Sequence, residues 1–496
     1  MRVNKHILVL IGITFLLYFF SLFNSFVWDD EEQIVNNVQI TAPNFVEHAF
    51  KGAIFNNGGS AFINNYYRPL MITTFGINIR LWGSNPFGFH LFQVFLHLLN
   101  VGLLYSLLKR LYTSGKMAFL PALIFAVHPL NVEPVVYIAA TADPLSLTFI
   151  LGTLLAILQS RKMTFFIPLI VFGLLAKESG ILVIPAGLIL CFWQRKTVFK
   201  RFLLASLIAL AFYLLLRLGI SGTGFGAGGI FPMQNAALST RLLTIPKELF
   251  YYLSNFIYPH NLTIGQHWLI LSPTVLDFWI PLAFNALFLT IAIFKGNKFF
   301  FLLFAFSFLL ISNIFPLDNT VAPRWFYFPI VGIVGMLAPL FLKYQKLVYF
   351  YAAILFVLSL RRSLEWRSPL LLYSQDTVQN PQSFDLQNNF GTELYRIGNY
   401  NEAKLHFQKS VELNPKWWTN WNNLCAVAET ENEYELAKKY CEQSIANGTY
   451  YLAYENLAKL LYFRIDKKAG WEFANKALNV LPNDLILQQI AGLPDH

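Results

Sequence analysis

From Ile7 to Leu360 the chain alternates long apolar runs with short polar loops, and beyond Leu360 the runs give way to amphipathic helical periods. The apolar runs lie at Ile7–Phe26, Phe89–Leu108, Ala118–Val127, Leu145–Leu158, Phe165–Ala176, Ile181–Trp193, Phe202–Leu218, Val275–Phe294, Phe299–Phe315, Trp325–Leu342 and Leu347–Leu360. A bilayer core takes about 20 apolar residues of helix, so this pattern predicts about eleven spans, several of them short. The segment Leu70–Trp82 is too short and carries Asn78 and Arg80, which suits a helix on the membrane surface or under a loop. Leu242–Tyr258, with Lys247, Glu248 and several tyrosines, reads as an interfacial or half-buried helix.

After Leu360 the sequence repeats. Gly391, Tyr400, Ala403, Phe407 and Pro415 are followed by Trp421, Leu424, Tyr434, Ala437 and Cys441, then by Leu457, Ala458, Ala474, Ala477 and Pro482. The period is about 34 residues, the tetratricopeptide pattern of paired helices stacked into a solenoid. Trp366–Asn380 reads as half a repeat capping the stack. The expected fold is therefore all-α: a polytopic membrane helical bundle over residues 1–362, then a tetratricopeptide-repeat (TPR) solenoid over 363–496. Such a solenoid binds peptides or partner proteins and does no chemistry itself.

Only 13% of residues are charged, against about 25% in soluble domains, which excludes a soluble enzyme. The net charge of +10 does not indicate nucleic acid, because the basic residues sort by loop. Arg2, Lys5, Lys109, Arg110, Lys116, Arg161, Lys162, Arg195, Lys196, Lys200, Arg201, Lys295, Lys298, Lys343 and Lys346 fall in one set of loops. The positive-inside rule makes that side cytoplasmic, with the N-terminus. The loop over 28–87 and the C-terminal repeats then lie together on the outer, periplasmic or lumenal side. The first run lacks a small-residue cleavage site and reads as a span, not a removed signal. Cys425 and Cys441 can pair in an oxidising compartment but read first as two packed thiols.

The candidate chemistry lies on the outer side. Asp29-Asp30-Glu31-Glu32 directly follows the first apolar run. His128-Pro129, Glu133 and Asp143 fall in the turn between two spans. Lys177-Glu178-Ser179-Gly180 ends another, and Asp318 and Arg324 join Arg68 from the first loop. Charges at a membrane boundary are costly unless used or paired. Transfer of a sugar from a lipid-linked phosphate needs such a set: a carboxylate to take the acceptor's proton, and cations to hold the phosphate. Each member also has an ordinary structural alternative. Lys177-Glu178 can be an ion pair at a helix junction, His128 a cap at a helix end stopped by Pro129, Arg324 a snorkelling cation in an aromatic belt, and Glu133 and Asp143 an interfacial turn. The stripe His90, Gln93, His97 and Asn100 reads as glue between helices. The acids could hold Mg²⁺ or Mn²⁺ weakly, and the sequence leaves metal dependence open.

The ordered series Phe26-Val27-Trp28-Asp29-Asp30, Tyr67-Arg68-Pro69-Leu70, Asn85-Pro86-Phe87-Gly88-Phe89-His90-Leu91, Ala126-Val127-His128-Pro129 with Glu133 and Ala142-Asp143, Leu175-Ala176-Lys177-Glu178-Ser179-Gly180, and Arg324-Trp325-Phe326-Tyr327-Phe328-Pro329, followed by the repeats, resembles the transmembrane and tetratricopeptide-repeat family of O-mannosyltransferases and its bacterial relatives. The resemblance covers nearly the whole chain. It implies a GT-C membrane glycosyltransferase fold, a polyprenyl-phosphate-linked sugar as donor, and transfer outside the cytoplasm to a hydroxyl of a protein or glycan. The family's acidic motif in the first outer loop falls on Asp29 and Asp30, which take the catalytic role, Asp29 first. Arg68, Lys177 and Arg324 are then the donor-phosphate ligands, and His128, Glu133, Asp143 and Glu178 support them. Relatives tend to carry an acid before the late arginine where this chain has Pro323, so the acid–arginine pairing of that motif is lost here. The resemblance fixes neither the sugar, mannose or another, nor the acceptor. Two other classes compete. A carrier of lipid-linked sugars would place polar residues at the bilayer midplane, not at one surface. A non-catalytic membrane-anchored scaffold for the repeats would not need the acids.

Overall fold

The computed structural model describes residues 5–54, 66–112, 114–224, 229 and 231–494. Arg2 and part of the first outer loop lie outside them. Regular structure among the described residues is helical, with one isolated antiparallel bridge between Gln266 and Val321. The chain divides into two compact units. The first holds the chain up to Val35, Ile40–Ile54, and onward through Ser368; the second holds Asn36–Gln39 and the chain from Pro369. The expected boundary at 362/363 falls inside the helix Gln345–Glu365, which continues past it. Apolar composition stops near Leu360, but the helix does not, because Arg361 and Arg362 pair with Glu365 one turn on.

In the first unit six helices are long and apolar enough to cross a membrane: Lys5–Phe23, Pro86–Tyr112, Ile138–Leu158, Lys196–Ile220, Val275–Lys295 and Gln345–Glu365. A seventh is the pair Gly115–Val127 and Pro129–Val136, bent by 59°. Pro129 causes the break, having no N–H to continue the ladder, and His128 caps the new turn by accepting from the Leu130 N–H. The remaining expected spans are shorter. Met163–Ala176, Glu178–Gln194 and Lys298–Ile311 are apolar helices of 10–17 residues, and the run from Trp325 is divided into Pro329–Met336 and Ala338–Lys343. The roughly eleven expected spans, several of them short, correspond among the described residues to six or seven long helices and the shorter ones named here. Large apolar side chains such as Leu16, Phe95, Leu207, Leu287, Phe294, Phe350 and Val357 are exposed on these helices. That is the surface a lipid-facing bundle presents. The chain is a multi-pass membrane protein.

The long helix Pro86–Tyr112 is tied to its neighbours through buried polar groups. Gln93 Nε2 donates to the carbonyls of Pro134 (2.9 Å) and Tyr137 (3.0 Å). His97 Nδ1 meets the Tyr327 hydroxyl at 2.7 Å, and Asn100 Nδ2 donates to the Pro144 carbonyl at 2.8 Å. The polar stripe on this helix therefore holds the turn 134–144 in place. Pro69–Trp82 is a helix with Met71, Ile72 and Phe75 buried. Leu238–Ile257 is amphipathic, with Glu248, Tyr252 and Asn255 buried.

In the second unit Pro369–Gln379 precedes the helix pairs Phe384–Arg396 with Tyr400–Leu413, Trp418–Thr430 with Tyr434–Asn447, and Tyr451–Leu460 with Lys467–Ala477; Leu485–Ala491 follows. Gly391 permits the first pair to close, because a Cβ there would meet the Phe407 ring at 2.8 Å. Successive pairs are linked at the repeat distance: Asn456 Nδ2 donates to Asn422 Oδ1 at 3.0 Å, 34 residues away. Cys425 and Cys441 form a disulfide, where the sequence reading favoured packed thiols. The two face each other across one helix pair with Cα atoms 5.3 Å apart, within bonding reach.

Candidate active site

The acidic stretch follows the first helix after a 3₁₀ turn, Phe19–Phe23. Trp28 adopts φ 59°, a left-handed conformation that costs a bulky residue about 1–2 kcal/mol. Its ring stacks on Tyr137 at 5.4 Å and 16°. The bend turns Asp29 and Asp30 back towards the turn at 137–140. Asp30 is buried, and both its oxygens are spent on backbone N–H groups, Val27 at 3.0 Å and Ala139 at 2.7 Å. Burial pushes its carboxyl well above the usual range, against those two hydrogen bonds. Asp29 is half-buried and accepts from the Tyr137 hydroxyl at 2.8 Å through Oδ2. Burial lifts it to about 6; the Tyr137 hydrogen bond and Arg324 pull down, and the charges of Asp318 and Glu32 push up. Oδ1 of Asp29 has no hydrogen bond among the described residues.

Arg324, the cation that acts on this acid, belongs to a set of linked ion pairs. Arg324 pairs through Nη1 with Glu133, which also accepts the Arg324 backbone N–H at 3.2 Å. The pairing that Pro323 removes from the local motif is thus supplied from 191 residues away, correcting the expectation that it is lost. The Arg324 guanidinium also lies over the rings of Trp28 and Tyr137, at 5.3 and 5.9 Å. Lys177 pairs with Asp143 at 2.5 Å, both side chains 11% exposed. Burial lowers the Lys177 ammonium and Asp143 raises it; Arg68 and Arg324 act on it as like charges. Arg68 Nε donates to Glu178 at 2.8 Å, and the other Glu178 oxygen accepts from the Tyr67 N–H at 3.0 Å. Arg217 stands 4.0 Å from the same carboxylate. Neither Lys177 nor Glu178 pairs with its sequence neighbour; each reaches across to another loop. Arg68, Lys177 and Arg324 each keep N–H groups beyond those given to their carboxylates, whereas Arg217 gives its own to Tyr213, Thr223 and Gly224.

The structure therefore brings Asp29, Asp30, Arg68, Glu133, Asp143, Lys177, Glu178 and Arg324 into one network of mutually interacting charges. His128 is not in it. Its Nε2 meets the Phe256 carbonyl at 3.0 Å, its Nδ1 accepts from Leu130, and its ring stacks on Phe256, so it is a buried cap. Among the described residues, no three of His, Cys, Asp and Glu converge on a point for a metal ion. Sequence reasoning quoted Trp28 in a motif without giving it a role, and missed Tyr137 and Arg217. Tyr137 lies one helical turn after Glu133 and was legible only as part of an apolar turn. Arg217 sits inside an apolar run, and an arginine there is itself a signal.

A family model described as dolichyl-phosphate-mannose-protein mannosyltransferase matches residues 69–217. A protein O-mannosyl-transferase of Caenorhabditis elegans is 26% identical over 83% of this chain and 63% of its own length. The human protein O-mannosyl-transferase TMTC3 is 25% identical over 90% of this chain and 56% of its own. Over most of its length the chain is similar to protein O-mannosyl-transferases. It spans about six-tenths of the length of the relatives it matches. The segment 69–217 carries Glu133, Asp143, Lys177, Glu178 and Arg217, while Asp29, Asp30, Arg68 and Arg324 lie outside it. Among solved structures, ArnT from Cupriavidus metallidurans aligns over 95% of this chain and 80% of its own at 15% identity, with a TM-score of 0.37.

Proposed function

We propose that this chain is a GT-C membrane glycosyltransferase that moves a sugar from a polyprenyl-phosphate donor to a hydroxyl of a protein or glycan. One observation carries the reading: the division of labour inside a single charged cluster. Asp29 holds an unbonded carboxylate oxygen beside Arg324, while Arg68, Lys177 and Arg324 keep N–H groups unspent. The acceptor hydroxyl gives its proton to Asp29 as its oxygen attacks the anomeric carbon. The bond from that carbon to the phosphate oxygen breaks, and the lipid phosphate leaves with the electron pair. Arg68, Lys177 and Arg324 stabilise the charge that grows on it. A single displacement inverts the anomeric centre. An acid near 6 suits the base, ionised at neutral pH yet basic enough to take a proton.

Asp30 sets the loop through its two backbone hydrogen bonds, and Glu133, Asp143 and Glu178 hold the three cations. Mannose is the first sugar to test, since the relatives are named for it. The basic loops support an outer-facing site. The Cys425–Cys441 disulfide supports an oxidising location for the repeats, where they would recruit the acceptor or a partner peptide. The test supplies labelled polyprenyl-phosphate mannose, glucose and N-acetylglucosamine to vesicles carrying wild type or Asp29→Asn. Label passing into protein or glycan with the wild type and not the variant supports the reading. Equal transfer by both removes Asp29 from the mechanism.

A further inference from the structure

The mechanism above gives no task to Asp318, whose charge acts on Asp29. Asp318 sits in the loop that precedes Arg324. Glu133, Asp143 and Glu178 are each committed to a cation, and Asp30 to backbone. Asp318 forms no ion pair among the described residues. It accepts instead from two neutral donors on segments remote in sequence: Tyr66 Oη at 2.8 Å and Gln234 Nε2 at 2.7 Å. A carboxylate has about four acceptor sites, so two remain. Gln234 offers a complementary group, because its buried Oε1 has no hydrogen-bond partner. The position is the donor side of the site. Asp318 interacts with the charges of Arg68, Arg324 and Asp29, and Arg68 packs over the Tyr66 ring at 4.6 Å. The loop is fixed independently: Thr320 N–H donates to the Gln266 carbonyl at 2.7 Å, and Asn313 donates to the Thr320 carbonyl at 2.8 Å.

We infer that Asp318, with Gln234 and Tyr66, forms the subsite that reads hydroxyl groups of the donor sugar. The Asp318 carboxylate and the Gln234 amide oxygen accept protons from sugar hydroxyls, and Tyr66, whose own proton goes to Asp318, holds the carboxylate in place. This is a pair of acceptors for the hydroxyl donors of a sugar, held by the convergence of three segments remote in sequence. The inference rests on the transferase reading proposed above.

The test uses the full chain in proteoliposomes, with polyprenyl-phosphate mannose and its monodeoxy analogues as probes. Wild type discriminates against the analogue lacking the hydroxyl that Asp318 binds. Asp318→Asn lowers kcat/KM for the complete sugar at least about tenfold, the worth of a hydrogen bond to a charged group. It leaves transfer of that one deoxy analogue nearly unchanged, and the KM for the acceptor does not move. Tyr66→Phe serves as a second variant: it removes only the hydroxyl that holds Asp318, keeps the ring under Arg68, and changes the same discrimination. Loss of the same factor on every donor overturns the inference while the transferase reading stands, and a change confined to acceptor KM overturns it in favour of an acceptor subsite. Absence of transfer by the wild type from every donor overturns both.

Discussion

Asp29→Asn should make the protein more stable while abolishing transfer. Burial holds the Asp29 carboxyl at about 6 instead of its ordinary 3.8. At about 1.4 kcal/mol per pH unit, the ionised form costs the fold roughly 3 kcal/mol. Asp29 is half-buried, and solvent screening reduces this to roughly 2 kcal/mol. The sign follows from proton binding: the folded carboxyl holds its proton more tightly than the unfolded one. The cost is therefore absent below about pH 3.8, grows through the interval, and is complete above about 6. Asparagine keeps an oxygen to accept from Tyr137, so that hydrogen bond is retained. The assay is thermal melting in detergent, paired with transfer rates on the same samples. At pH 7.5 the variant should melt higher than wild type, with the gap closing towards pH 4. Transfer should fall by about 10²–10⁴, the usual contribution of a general base. A variant that melts lower at pH 7.5, or a gap independent of pH, would refute the account of a carboxylate held charged against its surroundings.

Three further outcomes follow from the same geometry. Wild-type kcat/KM should rise with pH up to about 6 and level off above it, following Asp29; a profile flat from pH 5 to 7 contradicts this. Glu133→Gln leaves the Arg324 guanidinium buried without its counter-charge and should destabilise by about 3–5 kcal/mol, with part of the loss recovered in the double variant Glu133→Gln, Arg324→Met. Chain extracted without reductant should resist thiol alkylation at Cys425 and Cys441, and Cys425→Ser should cost about 3 kcal/mol for a loop of this length, 16 residues. Quantitative alkylation of both cysteines would place the repeats in a reducing compartment and contradict the proposed sidedness.

What was legible in the sequence was local. Apolar runs predicted the membrane helices because each run is its own signal, and the repeats announced themselves by period. The breaks were harder: the run Trp325–Leu342 divides near Leu337, and Pro129 bends the chain after Val127, neither of which composition records. Of the site, the residue types were legible, since charges ending apolar runs are costly. Their partners were not. Lys177 stands beside Glu178 in sequence yet pairs with Asp143, while Glu178 takes Arg68, 110 residues back. Arg324 finds Glu133 though its adjacent position is Pro323. Such choices are made by loops meeting in space. His128 was expected to support the site, with a helix cap as its alternative, and the cap is what the structure makes of it. Asp30 resembles Asp29 in sequence, but the backbone of Val27 and Ala139 claims both its oxygens, a difference no residue type records.

The most direct test of the central claim is transfer by the purified chain in proteoliposomes, given labelled polyprenyl-phosphate mannose on the face that bears the acidic loop. The account predicts label in a protein or glycan hydroxyl, with the released lipid phosphate in equal amount. Labelled donor recovered intact across the donor panel, with the wild type folded and donor-accessible, would contradict it.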